Sequence, residues 1–145
     1  MKTIKYILIA FLLFTNAYAQ EYEKTKELFR LVTGQSFNVV QTYNDNKLVD
    51  ERYYFFAQNG KYQYITDIIT VYSGTKQGFE EYIDQLSNAL DKYDVDTSLT
   101  IGNTRVVIFK SMGAKFIRVN TDDGYTWFGK HEIKRIKKKL LKIKK

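Results

Sequence analysis

The residues with the most distinctive chemistry lie at the C-terminal end of the chain. Residues 130–145 contain nine Lys or Arg and one Glu, a local charge of +8, whereas residues 20–129 hold 12 basic and 15 acidic residues, a charge of −3. Apolar residues recur among these cations at helical spacing, so a helix here would have an apolar stripe beside a basic surface. The apolar residues are Ile133, Ile136, Leu140 and Ile143. Such a surface suits an anionic partner.

Seven cations of this segment are our candidate residues for binding an anionic surface: Lys130, Lys134, Arg135, Lys137, Lys138, Lys139 and Lys142. Three interpretations of the helix stay open. In the first, its stripe packs on the sheet and the lysines are solvated. In the second, it lies on an anionic membrane or a polyanionic glycan. In the third, it docks on an acidic partner protein, through the same stripe. Nucleic acid would suit the charge, but no recognition motif accompanies it, so we do not expect that partner.

The residue types give little support to catalysis by a nucleophile or a metal ion. The chain has no cysteine and a single histidine, His131, which falls in the first turn of the lysine-rich helix and is expected to be exposed. A catalytic triad or a zinc site needs such residues gathered in one place. Glycine motifs that bind phosphate are also absent from the sequence. We therefore predict no catalytic residue, no metal site and no cofactor.

Carboxylates offer the remaining route to catalysis. Asp67 is the most suggestive, because it is a charge within an otherwise apolar predicted strand. A cross-strand Lys or Arg would explain it without any function, whereas a second carboxylate across a cleft would make a hydrolase site. Asp94 and Asp96 resemble the start of an EF-hand loop, but Leu99 and Arg105 stand where that loop needs glycine and glutamate. A small carboxylate-dependent hydrolase stays an alternative.

Residues 1–19 have the pattern of a secretory signal peptide. Two lysines precede an apolar run over residues 6–14, and Ala17 and Ala19 form a small-residue cleavage signal before Gln20. The apolar run is shorter than the roughly 20 residues that a membrane-spanning helix needs. We therefore expect an exported protein, periplasmic or secreted, whose mature chain begins at Gln20.

The hydrophobic patterns predict one α+β domain over residues 20–129, followed by a basic amphipathic helix over residues 130–145. The sheet is expected to be mostly antiparallel and built from two strand blocks separated by a helix, with a further helix at each terminus. Asn59-Gly60 is the strongest hairpin signal, because both residues tolerate the positive φ of a type I′ turn. The predicted helices cover 21–32, a segment with an apolar stripe from Phe79 to Tyr93, and 130 onward. The predicted strands cover 36–43, 48–57, 61–72, 98–101, 104–110, 115–119 and 125–128.

The run from Gly124 to Ile136, which follows the segment from Ile65 to Tyr93, resembles small exported proteins of unknown function from Bacteroidota. The similarity is one of pattern and covers Lys61 to Ile136. It implies a periplasmic or secreted setting and transfers no site residue.

These features together favour an exported, non-enzymatic binding or accessory protein of the cell envelope. Its basic C-terminal helix would contact an anionic surface or an acidic partner. Two alternatives stay open. One is the small hydrolase with a carboxylate site around Asp67. The other is an inhibitor or immunity-type protein that covers a partner with one face of its sheet.

Overall fold

A computed structural model describes residues 20–62 and 67–143. The predicted signal peptide lies outside these residues. Four strands followed by a helix occur twice along the chain, which confirms the α+β class. The elements are β1 Glu21–Arg30, β2 Ser36–Asn44, β3 Lys47–Gln58, β4 Ile68–Gly74, α1 Lys76–Lys92, β5 Ser98–Ile101, β6 Thr104–Ser111, β7 Ala114–Asn120, β8 Tyr125–Gly129 and α2 Lys130–Ile143.

The described strands form two sheets, and not the single sheet that the sequence predicted. β1 to β4 make one antiparallel meander and β5 to β8 make a second. Helix α1 separates the two meanders along the chain and packs on both, against β3 and β4 of the first and β5 and β7 of the second. Its buried side chains are Phe79, Tyr82, Ile83, Leu86, Ala89 and Leu90. One helix face therefore joins both sheets in one core.

Local hydrogen bonds fix α1 where the sequence predicts a helix. Thr75 is its N-cap, and the Thr75 hydroxyl accepts a hydrogen bond from Gly78 N–H at 3.0 Å. On the buried face, the Tyr82 hydroxyl donates to Thr104 Oγ1 at 2.9 Å, and Thr104 donates in turn to Ile101 O. Burial raises the pKa of Tyr82 to about 12. The neutral phenol thus links α1 to the β5–β6 hairpin.

The N-terminal segment is a strand, so the helix predicted for residues 21–32 is wrong. β1 pairs with β2 from Glu21 to Arg30, with one bulge between Glu27 and Phe29. The helical signal rested partly on Val32, which is 99% exposed in the loop after the strand. Phe29 packs instead on Phe37 of β2, with ring centroids 5.5 Å apart. Long-range pairing overrides a weak local preference, and the charged residues of β1 suit the edge of a sheet.

The connection between β3 and β4 also differs from its prediction. β4 begins at Ile68 and not at residue 61, and residues 63–66 of the predicted strand lie outside the described part of the chain. Asn59-Gly60 does not form a type I′ turn, because neither residue has a positive φ. Gly60 N–H donates to Tyr125 O on β8 at 2.7 Å. The first described residues of the connection therefore contact the edge strand of the second sheet.

Other hairpins follow their sequence signals. β2 and β3 join at Asp45 and Asn46, whose φ values are 49° and 63°, and β5 joins β6 at Gly102, whose φ is 56°. Positive φ at such positions matches the right-handed twist of paired strands. The strands on either side therefore have the neighbours that the turn residues predict.

Candidate functional site

Helix α2 positions the candidate cations. Gly129 N–H donates to Glu132 Oε2 at 3.0 Å, one half of a capping box, so the helix starts where the sequence predicts. Ile133, Ile136 and Leu140 are buried in the core, where α2 packs on α1 and β8. The apolar stripe is thus buried against helix α1 as well as against β8, whereas the first of the three interpretations expected it to pack on the sheet. The cations cover the rest of the helix.

One flank of α2 faces acidic residues of α1. Lys130 Nζ lies 2.7 Å from Asp91 Oδ1, and Lys137 Nζ lies 2.8 Å from Asp84 Oδ1. The hydrogen bond from Lys130 lowers the pKa of Asp91, and the positive charges of Lys130 and Lys134 act in the same direction. We call Lys130, Lys134 and Lys137 the α1-facing cations. Part of the helix's charge is therefore balanced within the molecule.

The opposite flank of α2 borders a groove of about 330 Å³, which we call the cationic groove. Its second wall is the end of β1 and the loop that follows, where Val32 is 99% exposed. The lining residues are Arg30, Leu31, Val32, Arg135, Lys138, Lys139 and Lys142. Five of the seven are cations and none is acidic. Four of the predicted binding residues thus share one concave surface.

Arg30 is the groove cation that the sequence analysis missed. Its Nη2 and Nε donate to Glu27 Oε2 at 2.6 and 3.1 Å. This hydrogen bonding and the charge of Glu27 raise the pKa of Arg30. A spacing of three residues suggests an ion pair on a helix, but β1 is a strand, in which a bulge between Glu27 and Phe29 changes the alternation of side chains. Only the pairing of β1 with β2, however, brings the end of β1 beside α2.

Asp67 lies in the connection before β4 and not within a strand. Its Oδ2 accepts a hydrogen bond from Asn59 Nδ2 at 2.8 Å. Among the residues that the structure describes, this side-chain partner is an uncharged amide, and no ion pair joins Asp67 to a Lys or Arg as the simpler interpretation expected. Within residues 20–62 and 67–143, no three His, Asp or Glu side chains are grouped as a metal site requires.

His131 is exposed in the first turn of α2, as predicted. It borders an open depression of about 570 Å³ together with Asp91, Lys115 and Lys130. The two lysines have structural partners there, since Lys115 Nζ donates to Tyr93 O at 2.7 Å and Lys130 is bound to Asp91. These contacts tie the end of α1 to the second sheet and to α2.

Comparison of the chain with protein-family models, with curated proteins and with solved structures found no match. In the part of the chain that the structure describes, no helix is long and apolar enough to cross a bilayer.

Proposed function

We propose that the protein is an exported, non-enzymatic accessory protein of the cell envelope that binds an anionic surface through the cationic groove. The surface is an anionic membrane or a polyanionic glycan. The observation that supports this proposal is the composition of the groove, with five cations and no acidic residue among its seven lining residues. The positive charge that the sequence predicts for the whole helix is therefore greatest on the flank that borders the groove, because the opposite flank faces Asp84 and Asp91 of α1.

The strength of such binding follows from the number of cations that reach the anionic surface. Each Lys or Arg close to anionic lipid contributes about 1 kcal/mol, so the four α2 cations of the groove contribute about 4 kcal/mol. Burial of Ile133, Ile136 and Leu140 already holds the helix in place, and binding then needs little additional ordering. Because the stripe is buried, contact is made by charge at the surface and not by inserting the helix.

Two triple variants of α2 with the same change in charge test the proposal. The first neutralises three groove cations and the second neutralises the three α1-facing cations. We expect the first to weaken binding to vesicles that contain phosphatidylglycerol, or to heparin, by about 100-fold, and the second by less than about tenfold, since Lys130 and Lys137 already have acidic partners. Vesicle sedimentation measures binding to the anionic membrane, and heparin chromatography measures binding to the polyanionic glycan. The variants are K138Q/K139Q/K142Q and K130Q/K134Q/K137Q.

Salt provides a second measurement on the same proteins. Exposed charges are screened over about 10 Å at 0.1 M salt, so binding of the unaltered protein should weaken steeply as salt rises. Circular dichroism checks that both triple variants are folded. Equal loss in the two variants would contradict the assignment to the groove. Failure of the unaltered protein to bind either vesicles or heparin at low salt would contradict the function itself.

Inhibition or masking of a partner protein is a second candidate, favoured by the outer half of the first sheet. There the first residues of β1 and β3 lie beyond the core, and Leu48 and Val49 are 50% and 58% exposed. A sheet surface with apolar residues of this kind suits a protein partner. Co-purification of one protein in stoichiometric amount from envelope extract would favour this candidate over the anionic surface.

A further inference from the structure

A second concave site lies on the other side of the loop that walls the cationic groove. Leu31 and Val32 of that loop line the groove, whereas Thr33 and Gln35 line the second site, which we call the aromatic pocket. Its volume is about 320 Å³, at the lower end of the roughly 300–1,000 Å³ typical of ligand sites. The lining residues are Thr33, Gln35, Gln58, Asn59, Gly60, Tyr62, Phe116, Thr126, Trp127 and Glu132.

Aromatic rings with accessible surface form part of this pocket. Trp127 on β8 is 47% exposed and Tyr62 is 40% exposed, although both are large and mostly apolar. Gly60 fixes the position of Trp127, because a Cβ at Gly60 would lie 2.2 Å from Trp127 Cζ3. The absence of a side chain at residue 60 thus lets the indole ring lie directly against the backbone. The ring is held in place while nearly half of its surface stays open to a ligand.

The polar groups of the pocket are mostly uncharged. Gln58 is exposed at the end of β3. The Thr33 hydroxyl donates to Gln35 Oε1, which orients the Gln35 amide. Glu132 is the single charged lining residue, and its Oε2 accepts the hydrogen bond from Gly129 N–H. The exposed Gln58 amide beside open aromatic rings distinguishes this pocket from the cationic groove, although Lys61 Nζ lies 5.6 Å from the centroid of the Tyr62 ring.

We propose that the aromatic pocket binds a short neutral saccharide. A sugar ring has faces of C–H groups, which pack on an indole or phenol ring, and an edge of hydroxyls, which hydrogen-bond to amides and carboxylates. A purely apolar ligand would bury the exposed amide of Gln58 without a partner, at a cost in free energy. An anionic ligand would meet the carboxylate of Glu132. A hydroxyl-rich, uncharged ligand satisfies both sets of groups.

Trp127 is the only tryptophan of the chain, so its fluorescence reports directly on the aromatic pocket. The experiment titrates the full chain with maltotriose, cellotriose, xylotriose and triacetylchitotriose. We expect at least one of these neutral trisaccharides to produce a saturable change in emission with a Kd of about 1 mM or lower. No saturation by any of the four up to about 20 mM would overturn the proposal. A response to the uncharged apolar dye N-phenyl-1-naphthylamine alone would also overturn it.

The saccharide affinities of single variants, measured by titration calorimetry, test whether the ligand binds in the aromatic pocket. Trp127→Ala should weaken binding at least about tenfold by removing the stacking surface, and Gln58→Ala by about fivefold through one lost hydrogen bond. Gly60→Ala should also weaken it, because the new methyl group displaces the indole. Gln58→Ala keeps the test valid if Gly60→Ala does not fold. Tyr93→Ala is the control, since Tyr93 is a 37% exposed ring outside the pocket and should leave affinity unchanged.

The same proteins distinguish this proposal from the one for the groove. Trp127→Ala should keep its binding to vesicles and heparin, and K138Q/K139Q/K142Q should keep its affinity for the saccharide. Loss of saccharide binding in that triple variant would place the sugar in the groove and overturn the assignment to the aromatic pocket. Unchanged affinity in Trp127→Ala and Gln58→Ala would overturn it as well.

Discussion

At the scale of single residues, Asn59 shows how one side chain joins the two sheets. It is fully buried, and its Oδ1 accepts from Lys61 N–H at 3.0 Å and from Tyr125 N–H at 3.3 Å. Its Nδ2 donates to Asp67 Oδ2 at 2.8 Å and to Asp123 O at 3.2 Å. A side-chain amide offers two donors and two acceptor positions, and all of them are used. The contacts connect the end of β3 with the start of β8.

Replacing Asn59 by alanine should therefore destabilise the protein by about 2–4 kcal/mol, because several buried partners lose their hydrogen bond at once. Asn120→Ala is the matched control, since the Asn120 side chain makes one hydrogen bond, to Arg105 O at 2.9 Å, and its loss should cost about 1 kcal/mol. Urea unfolding measures both. Equal midpoints for the two variants would show that the Asn59 contacts do not join the sheets as described.

At the scale of elements, the packing of α2 on α1 separates the cations of α2 into two groups. The buried stripe fixes α2 against α1 and β8, and this contact decides which cations meet Asp84 and Asp91 and which border the groove. A helix free in solution would present all of its cations equally. Packing thus leaves one flank of α2 more positively charged than the other.

The ion pair between Lys130 and Asp91 predicts a pH dependence. The lowered pKa of Asp91 in the folded protein means that its contribution to stability is complete above its ordinary value of 3.8 and is lost as pH falls through the lower folded value. Asp91→Asn should therefore be slightly less stable than the unaltered protein at pH 7, with a difference that disappears in acid. Asp50→Asn, in the outer half of β3, is the control for the change in charge. Urea midpoints across pH test this, and a constant difference would contradict the pair.

At the scale of the whole molecule, the four-strands-then-helix order occurs twice and encloses one core. The core includes Phe37 and Phe55 from the first sheet, Ile108 and Ile117 from the second, and Leu86 of α1, all fully buried. The loop from residue 31 to residue 35 walls both the cationic groove and the aromatic pocket. The two candidate binding surfaces are therefore neighbours on either side of one loop.

A shared core predicts that both sheets unfold together. Leu86→Ala should cost about 3 kcal/mol by leaving a cavity under both sheets, whereas Leu141→Ala, at a 64% exposed position of α2, should change stability by less than about 0.5 kcal/mol. Amide signals of Phe37 in β2 and Ile117 in β7, followed by NMR through a urea titration, should disappear at one midpoint that Leu86→Ala lowers. Separate midpoints for the two residues would mean that α1 does not couple the sheets.

Strong local patterns allow much of this fold to be predicted. The three-and-four spacing of the α1 stripe, the turns at Asp45-Asn46 and Gly102, and the helical spacing of apolar residues in α2 each indicate an element from neighbouring residues alone. Asn59-Gly60, in contrast, does not form the hairpin that it predicts. The first three patterns place α1, the strands β5 to β8, α2 and the set of candidate cations. Their energies arise within a few residues of each other, so no knowledge of the rest of the chain is needed.

The amino-acid sequence alone thus determined the types of most elements and the basic character of the C-terminal helix. Tertiary contacts decided the rest: that residues 21–30 pair as an edge strand, that Asn59 is buried between two sheets, and that Arg30 joins four cations of α2 while Lys130 and Lys137 pair with α1. Each of these depends on partners far away along the chain. Burial and strand pairing between distant segments outweigh local preferences of a few tenths of a kcal/mol per residue, about the range of intrinsic helix propensity.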